Sequence, residues 1–262
     1  MDLGLTGHVA LVAAASRGLG RATATALAAE GARVMLCSRG EKQLAATAEE
    51  ITEQTGAEVA WCPADVSDAG DVSRLLDETL GRFGRVDVLV NNAGGPPAGR
   101  FDDVDDDAWR AAFETGLLSA VRLVRGVLPS MRERSYGRIV NIASTGVRQP
   151  VDGLLVSNTF RLAVAGLAKS LATELAPYGI LVNTLGPGRL ATDRVAALDE
   201  LRAQATGMSR GQVRAQVEQM IPAGRYGDPA ELGRVAAFLG SAANTYVTGQ
   251  TVLVDGGLAR AL

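Results

Sequence analysis

HVALVAAASRGLGRATATALAAEG, residues 8–31, is the stretch that decides the fold. Its first part, His8 to Ala14, is a short apolar run without alternation, the pattern of a strand buried on both faces. Ser16-Arg17-Gly18-Leu19-Gly20 then turns the chain into an alanine-rich helix from Gly18, closed by Gly31 as a C-cap. A helix start aimed out of a strand presents unpaired N–H groups and the positive end of a dipole. Glycines there remove the Cβ atoms that would hold a phosphate away from the backbone. The segment predicts a pyrophosphate-binding turn, with a plain tight turn as the alternative.

Outward from this turn, strand-like and helix-like segments alternate to the end. Further strands are expected at Arg33–Ser38, Val59–Pro63, Val86–Val90, Gly137–Ala143, Ile180–Leu185 and Thr251–Val254. Between them, helices are expected at Glu41–Gln54, from Asp68 to about Phe83, at Asp106–Arg134, Val156–Ala176 and Pro229–Ser241. Asp193–Met220 reads as an amphipathic helix interrupted at Gly207 and Gly211. Right-handed crossovers make this an α/β doubly wound parallel sheet of about seven strands, Rossmann-type, with helices on both faces. No linker divides the chain, so residues 1–262 are expected to form one dinucleotide-binding domain, with residues 190–226 as a mobile lid over the site.

Composition narrows the function. A formal net charge of −3, with acidic and basic residues interspersed, excludes a nucleic-acid surface. His8 is the one histidine, and Cys37 and Cys62 each sit in an apolar run, so neither a zinc site nor a Ser-His-Asp triad is available. The expectation is reduced core thiols, no metal, no membrane segment and a cytoplasmic protein.

Charge also selects the dinucleotide. The second strand ends Cys37-Ser38-Arg39, where an NAD site would carry an acidic residue for the ribose hydroxyls. Arg17 and Arg39 offer planar donor forks to a 2′-phosphate instead, so NADP(H) is expected.

More motifs follow in order. They are Asp65-Val66, Asn91-Asn92-Ala93-Gly94, Ile139 to Ser144 (IVNIAS), Pro187-Gly188 with Thr192, and Asp255-Gly256-Gly257. With the turn at Ala13 to Gly20, the chain resembles the short-chain dehydrogenase/reductase family over essentially its whole length. The resemblance implies cofactor contacts from Ser16, Arg17, Gly18, Leu19 and Gly20. It implies others from Asp65 and Val66 beside the adenine, from Asn92, Ala93 and Gly94, and from Pro187, Gly188, Leu190 and Thr192 at the nicotinamide end. It also implies a homodimer or homotetramer paired through the helices near residues 106–134 and 156–176. Ala13 and Ala14 depart from the family's Thr and first Gly, and Ala14 adds a methyl group to a tight turn.

The resemblance further implies a catalytic Asn-Ser-Tyr-Lys set, and here the chain departs from it. Ser144 falls on the serine, whereas Gly116, Ser157 and Arg161 fall on the Asn, Tyr and Lys positions. The four-residue spacing keeps Ser157 and Arg161 on one helix face. A hydroxyl is a poorer acid than a phenol, and losing a positioned general acid costs ~10²–10⁴ in rate. The leading reading is a reductase of a small or medium carbonyl compound, with Ser144, Ser157 and Arg161 as its catalytic residues and water as the final acid. Arg161 is expected to bind the ribose and, as a cation that does not titrate, to leave no alkaline limb in the pH profile. The alternative is an NADP(H)-binding protein without ordinary carbonyl reductase activity.

Overall fold

The structure, a computed structural model, describes residues 2–261, so Met1 and Leu262 at the ends of the expected domain lie outside the described residues. Seven parallel strands form one sheet in the order β3-β2-β1-β4-β5-β6-β7. They are β1 (Val9–Val12), β2 (Arg33–Ser38), β3 (Val59–Pro63), β4 (Val88–Asn91), β5 (Gly137–Ile142), β6 (Ile180–Pro187) and β7 (Thr251–Val254). The doubly wound sheet expected from the alternation is the one that forms. Its limits differ from the sequence reading at four strands, with β5 ending at Ile142 rather than Ala143. β1 stops at Val12, β4 reaches Asn91, and β6 runs on to Pro187 because Gly186 and Pro187 pair with Leu253 and Val254.

Successive strand residues face opposite sides, and each side collects its own helices. Val9, Leu11, Met35, Cys37 and Leu89 pack against α3 (Ala69–Phe83), α5 (Ser119–Glu133) and α6 (Leu155–Leu175). Ala10, Val12, Val34, Leu36 and Val90 face α1 (Gly18–Ala29), α2 (Glu41–Thr55) and α9 (Pro229–Leu239). Burial, reinforced by the neighbouring Cys62, pushes the Cys37 thiol up to about 12, so it behaves as a core hydrophobe. Among the described residues no helix is long and apolar enough to cross a membrane.

Two helical stretches differ from expectation. Asp106–Arg134 is not one helix: α4 (Asp106–Phe113) passes through a π turn at Glu114–Leu118 before α5 begins. Gly116 sits in that turn, where a Cβ would stand 3.4 Å from the Cβ of Phe160 on α6, and the extra backbone residue lets the two helices approach. In the second stretch only Gly207 is a break, ending α7 (Asp193–Thr206) in the left-handed region at φ 70°. Gly211 lies inside α8 (Arg210–Met220), whose first turn is held by the reciprocal bonds of Ser209 and Gln212.

The strand order reverses between β1 and β4, and the crevice above their C-terminal ends is where a ligand of this architecture binds. α1 forms one wall, and α9 fixes it closely. A Cβ at Gly233 would lie 2.6 Å from the Ala22 carbonyl oxygen and 3.3 Å from the Ala26 Cβ. Gly233→Val is therefore expected to lower unfolding free energy by ~1–3 kcal/mol, read from the urea midpoint. An unchanged midpoint would show that α1 and α9 separate freely.

Candidate active site

β1 leaves the sheet at Ala13, whose N–H donates to the Val90 carbonyl at 3.1 Å, while Ala15 donates to Cys37 at 2.9 Å. These bonds drive the turn into the crevice between β4 and β2. Ala14 holds φ 49°, a left-handed conformation that costs an alanine ~1–2 kcal/mol relative to glycine's freedom there. Gly20 has no such choice: a Cβ would overlap the Ala14 carbonyl oxygen. The Asn92 amide braces that same carbonyl at 3.5 Å. α1 then begins with Arg17 as N-cap, without a side-chain cap and without an acid in its first turn, which leaves its N–H groups facing the crevice.

The corner beyond β2 is built for an anion. Ser38 Oγ is buried without a partner among the described residues, and Arg39 is exposed beside it. Arg39 lies 3.9 Å from Asp65, in the loop that follows β3. Burial would raise the Asp65 carboxyl, but the Ser67 hydroxyl at 2.6 Å and its N–H at 3.0 Å, with Arg39, hold it below its ordinary range. Val66 is buried next to it. An orphaned hydroxyl, two exposed arginines and an uncapped glycine turn fit a dinucleotide with a phosphorylated ribose.

Arg161 closes the floor of the crevice. It is 8 % exposed, and it donates from Nη1 to the Ile142 carbonyl at 2.9 Å and from Nη2 to the Ala93 carbonyl at 2.8 Å. Burial first, then the charge of Arg194, pull its guanidinium down to about 10. It stays charged at neutral pH, a buried cation held by two carbonyl oxygens. Its two bonds also go to backbone rather than to open space. Ser157 stands half-buried one turn earlier on α6, and Ser144 Oγ accepts from Gly146 N–H at 3.0 Å at the end of β5.

The far wall comes from β6 and α7. Gly188 is required by close approach, since a Cβ would lie 2.6 Å from that of Asp255, and Pro187 precedes it. Thr192 caps α7, accepting from Val195 N–H at 3.4 Å, and its methyl stands 3.7 Å from where a Gly18 side chain would begin. Arg17 and Asp193 pair at 3.5 Å across the same gap. Leu190 is a correction. Its side chain is 3 % exposed in the core against Gly227, because β6's continuation pairs there, so it does not line the crevice.

Three features escaped the sequence. Asn91 donates to Asn141 at 2.8 Å, and Asn141 donates to the Asn183 carbonyl, forming an amide chain beneath the site. Tyr226 donates to buried Asp199 at 2.9 Å, and Arg189 pairs with the same carboxylate at 3.2 Å, which anchors α7 from below. Burial, then Asp199, pushes the Tyr226 phenol up to about 12, so it is no proton donor for the crevice. Arg194 crosses to the loop after β4 and donates to the Pro96 carbonyl at 2.7 Å. Only the side-chain geometry reveals these pairs, since their partners lie far apart in sequence.

A crossover sheet with a glycine turn, an anion corner and a serine–arginine floor defines a dinucleotide-binding α/β protein. The family model described as enoyl-(acyl carrier protein) reductase matches residues 13–259. The chain is 35 % identical over 252 residues to 3-oxoacyl-[acyl-carrier-protein] reductase FabG of Escherichia coli, covering 96 % of this chain and 97 % of that one. It is similar throughout to L-sorbose reductase of Gluconobacter frateurii, a structure complexed with NADPH and L-sorbose, with a TM-score of 0.95, 32 % identity and 100 % of both chains covered. It is also similar to actinorhodin polyketide ketoreductase, described with NADPH, with a TM-score of 0.93, 36 % identity and 97 % of each chain covered. The chain belongs to the short-chain dehydrogenase/reductase family, as its motifs imply.

Ala14→Gly relieves the left-handed alanine and is expected to raise stability by ~0.5–1 kcal/mol after glycine's own entropy cost. A thermal or urea transition checks it. No change would mean that the turn relaxes to accommodate the methyl group.

Proposed function

We propose that this chain is an NADPH-dependent reductase of a small or medium carbonyl compound, acting through Ser144, Ser157 and Arg161. The observation that carries the reading is Arg161, a buried cation at the floor of the crevice, tied to the loop after β4 and to the end of β5. The relatives described as complexes with NADPH support the cofactor, together with Ser38, Arg17 and Arg39. Bound NADPH supplies a hydride to the carbonyl carbon.

The chain's own groups do the rest. The Ser144 and Ser157 hydroxyls each donate and accept, and they orient the substrate oxygen. Arg161 acts as fixed positive charge for the developing alkoxide while holding the Ala93 and Ile142 carbonyls in place. The proton comes from water, since Ser157 and Arg161 stand in place of the family's tyrosine and lysine. Activated ketones then react well and simple ketones poorly. Residues 190–226 form the lid, rooted at Asp199 and Tyr226. We also propose a cytoplasmic homodimer or homotetramer, supported by Phe113, 41 % exposed on α4 beside Phe160, and by Leu162, 55 % exposed on α6.

Calorimetric titration is expected to give tighter binding of NADPH than NADH, and Arg39→Asp to weaken NADPH selectively. Equal affinities would sink the cofactor assignment. The rate with an activated ketone should stay level through neutral and mildly alkaline pH and fall only as Arg161 deprotonates near about 10. Converting Ser157 to Tyr together with Arg161 to Lys should raise turnover of simple ketones. Ordinary rates on simple ketones in the wild type, with a tyrosine-like profile, would refute the serine–arginine site. A monomer mass by light scattering at micromolar concentration would refute the assembly.

A further inference from the structure

We propose that the carbonyl compound reduced here is an oxo acid, and that Arg194 binds its carboxylate; this rests on the reductase reading above. Arg194 lies in the first turn of α7, next to Asp193. Adjacent helix residues project about 100° apart, and these two reach different halves of the crevice. Asp193 faces the glycine turn, where it meets Arg17 at 3.5 Å. Arg194 faces the opposite wall and donates through Nη2 to the Pro96 carbonyl at 2.7 Å. Its Nε and Nη2 lie 3.2 Å from where a Gly95 side chain would begin, so the guanidinium rests against a bare stretch of loop. Any side chain at Gly95 would push it away.

The ions around Arg194 are paired. Asp193 has Arg17, and Arg189 has Asp199 at 3.2 Å. Among the described residues no carboxylate lies within 4.0 Å of either Arg194 or Arg161. The charge that Arg161 feels most from its surroundings is that of Arg194, a repulsion added to its burial. Two guanidiniums thus hold the loop from Ala93 to Pro96, each through one of its carbonyl oxygens. A carboxylate in the crevice relieves that repulsion and meets a planar donor fork of matching shape. The dinucleotide's phosphates do not serve this purpose, because their cradle is the α1 N-terminus and the Ser38 corner, on the Arg17 side of α7.

The reaction balances as oxo acid, NADPH and a proton giving hydroxy acid and NADP⁺. The hydride carries both electrons to the carbonyl carbon, water supplies the proton to its oxygen, and the carboxylate is unchanged.

The test compares short oxo acids with their methyl esters, using the full chain with NADPH. Wild type is expected to favour the acids by about tenfold or more in kcat/KM, the range of a charge-assisted hydrogen bond. Arg194→Met should remove that preference through KM, and Arg194→Lys should keep part of it. As a readout without turnover, the hydroxy acid should raise the melting temperature of the NADPH-loaded wild type and not of Arg194→Met. Esters used as well as acids by the wild type would overturn the proposal while leaving the reductase reading intact. So would loss of NADPH affinity in Arg194→Met equal to its loss of oxo-acid affinity. If no carbonyl compound is reduced but the acids still stabilise the loaded protein through Arg194, the anion site stands and the reductase reading fails.

Discussion

Arg161 reaches from the middle of α6 to two carbonyl oxygens, one at the end of β5 and one in the loop after β4, and the crevice takes its shape from that reach. β4 and β5 end side by side, and the chain departs from each in a different direction. Without that donor the Ala93 and Ile142 carbonyls would lose these two bonds. A hydrogen bond from a charged donor contributes ~1.5–3 kcal/mol, and a buried cation costs several when it lacks such partners. The two effects meet at this residue, so the loop and the cation stabilise each other. The position of the loop from Asn92 to Gly95 follows, and with it the distance between the walls.

The same logic of buried polar groups recurs around the site. The Asn91–Asn141 pair and the Asn141 bond to Asn183 fasten β4, β5 and β6 just below their ends. Asp87 does so at the opposite edge, accepting from Val9 N–H at 2.8 Å and Arg85 at 2.7 Å while itself 1 % exposed. Asp199 holds Tyr226 and Arg189 under α7. Each carboxylate or amide has partners from separate elements, which makes the frame stiff where the strands end. Exceptions occur away from the crevice, at His8 and Tyr136, and also near it. Ser38 Oγ and Asn91 Oδ1 have no partner among the described residues, and Arg194 has no counter-ion there.

The glycine turn shows how little freedom the site retains. Gly20 is fixed by the Ala14 carbonyl and Gly188 by Asp255. Ala14 alone breaks the pattern, holding φ 49° in a turn braced by Asn92. Strain of this kind persists only where the surroundings over-determine the backbone, and here two sheet-end hydrogen bonds flank it, at Ala13 and Ala15.

The sequence by itself determined the sheet, the crevice and the cofactor corner, because these depend on local signals. Apolar runs of strand length, a glycine turn opening a helix and the absence of an acid after β2 are all read over a few neighbouring residues. It also placed Ser157 and Arg161 on one helix face, since that needs only the helical repeat. Tertiary structure decided what those residues touch. The sequence could not show that Arg161 is turned toward two backbone carbonyls, or that Leu190 points into the core. Nor could it show the π turn at Glu114–Leu118, where Gly116 lies against Phe160. Arg194 was the least legible of all. Its meaning lies in a carbonyl 98 residues away and in a cation on another helix, and charge acts through space rather than along the chain.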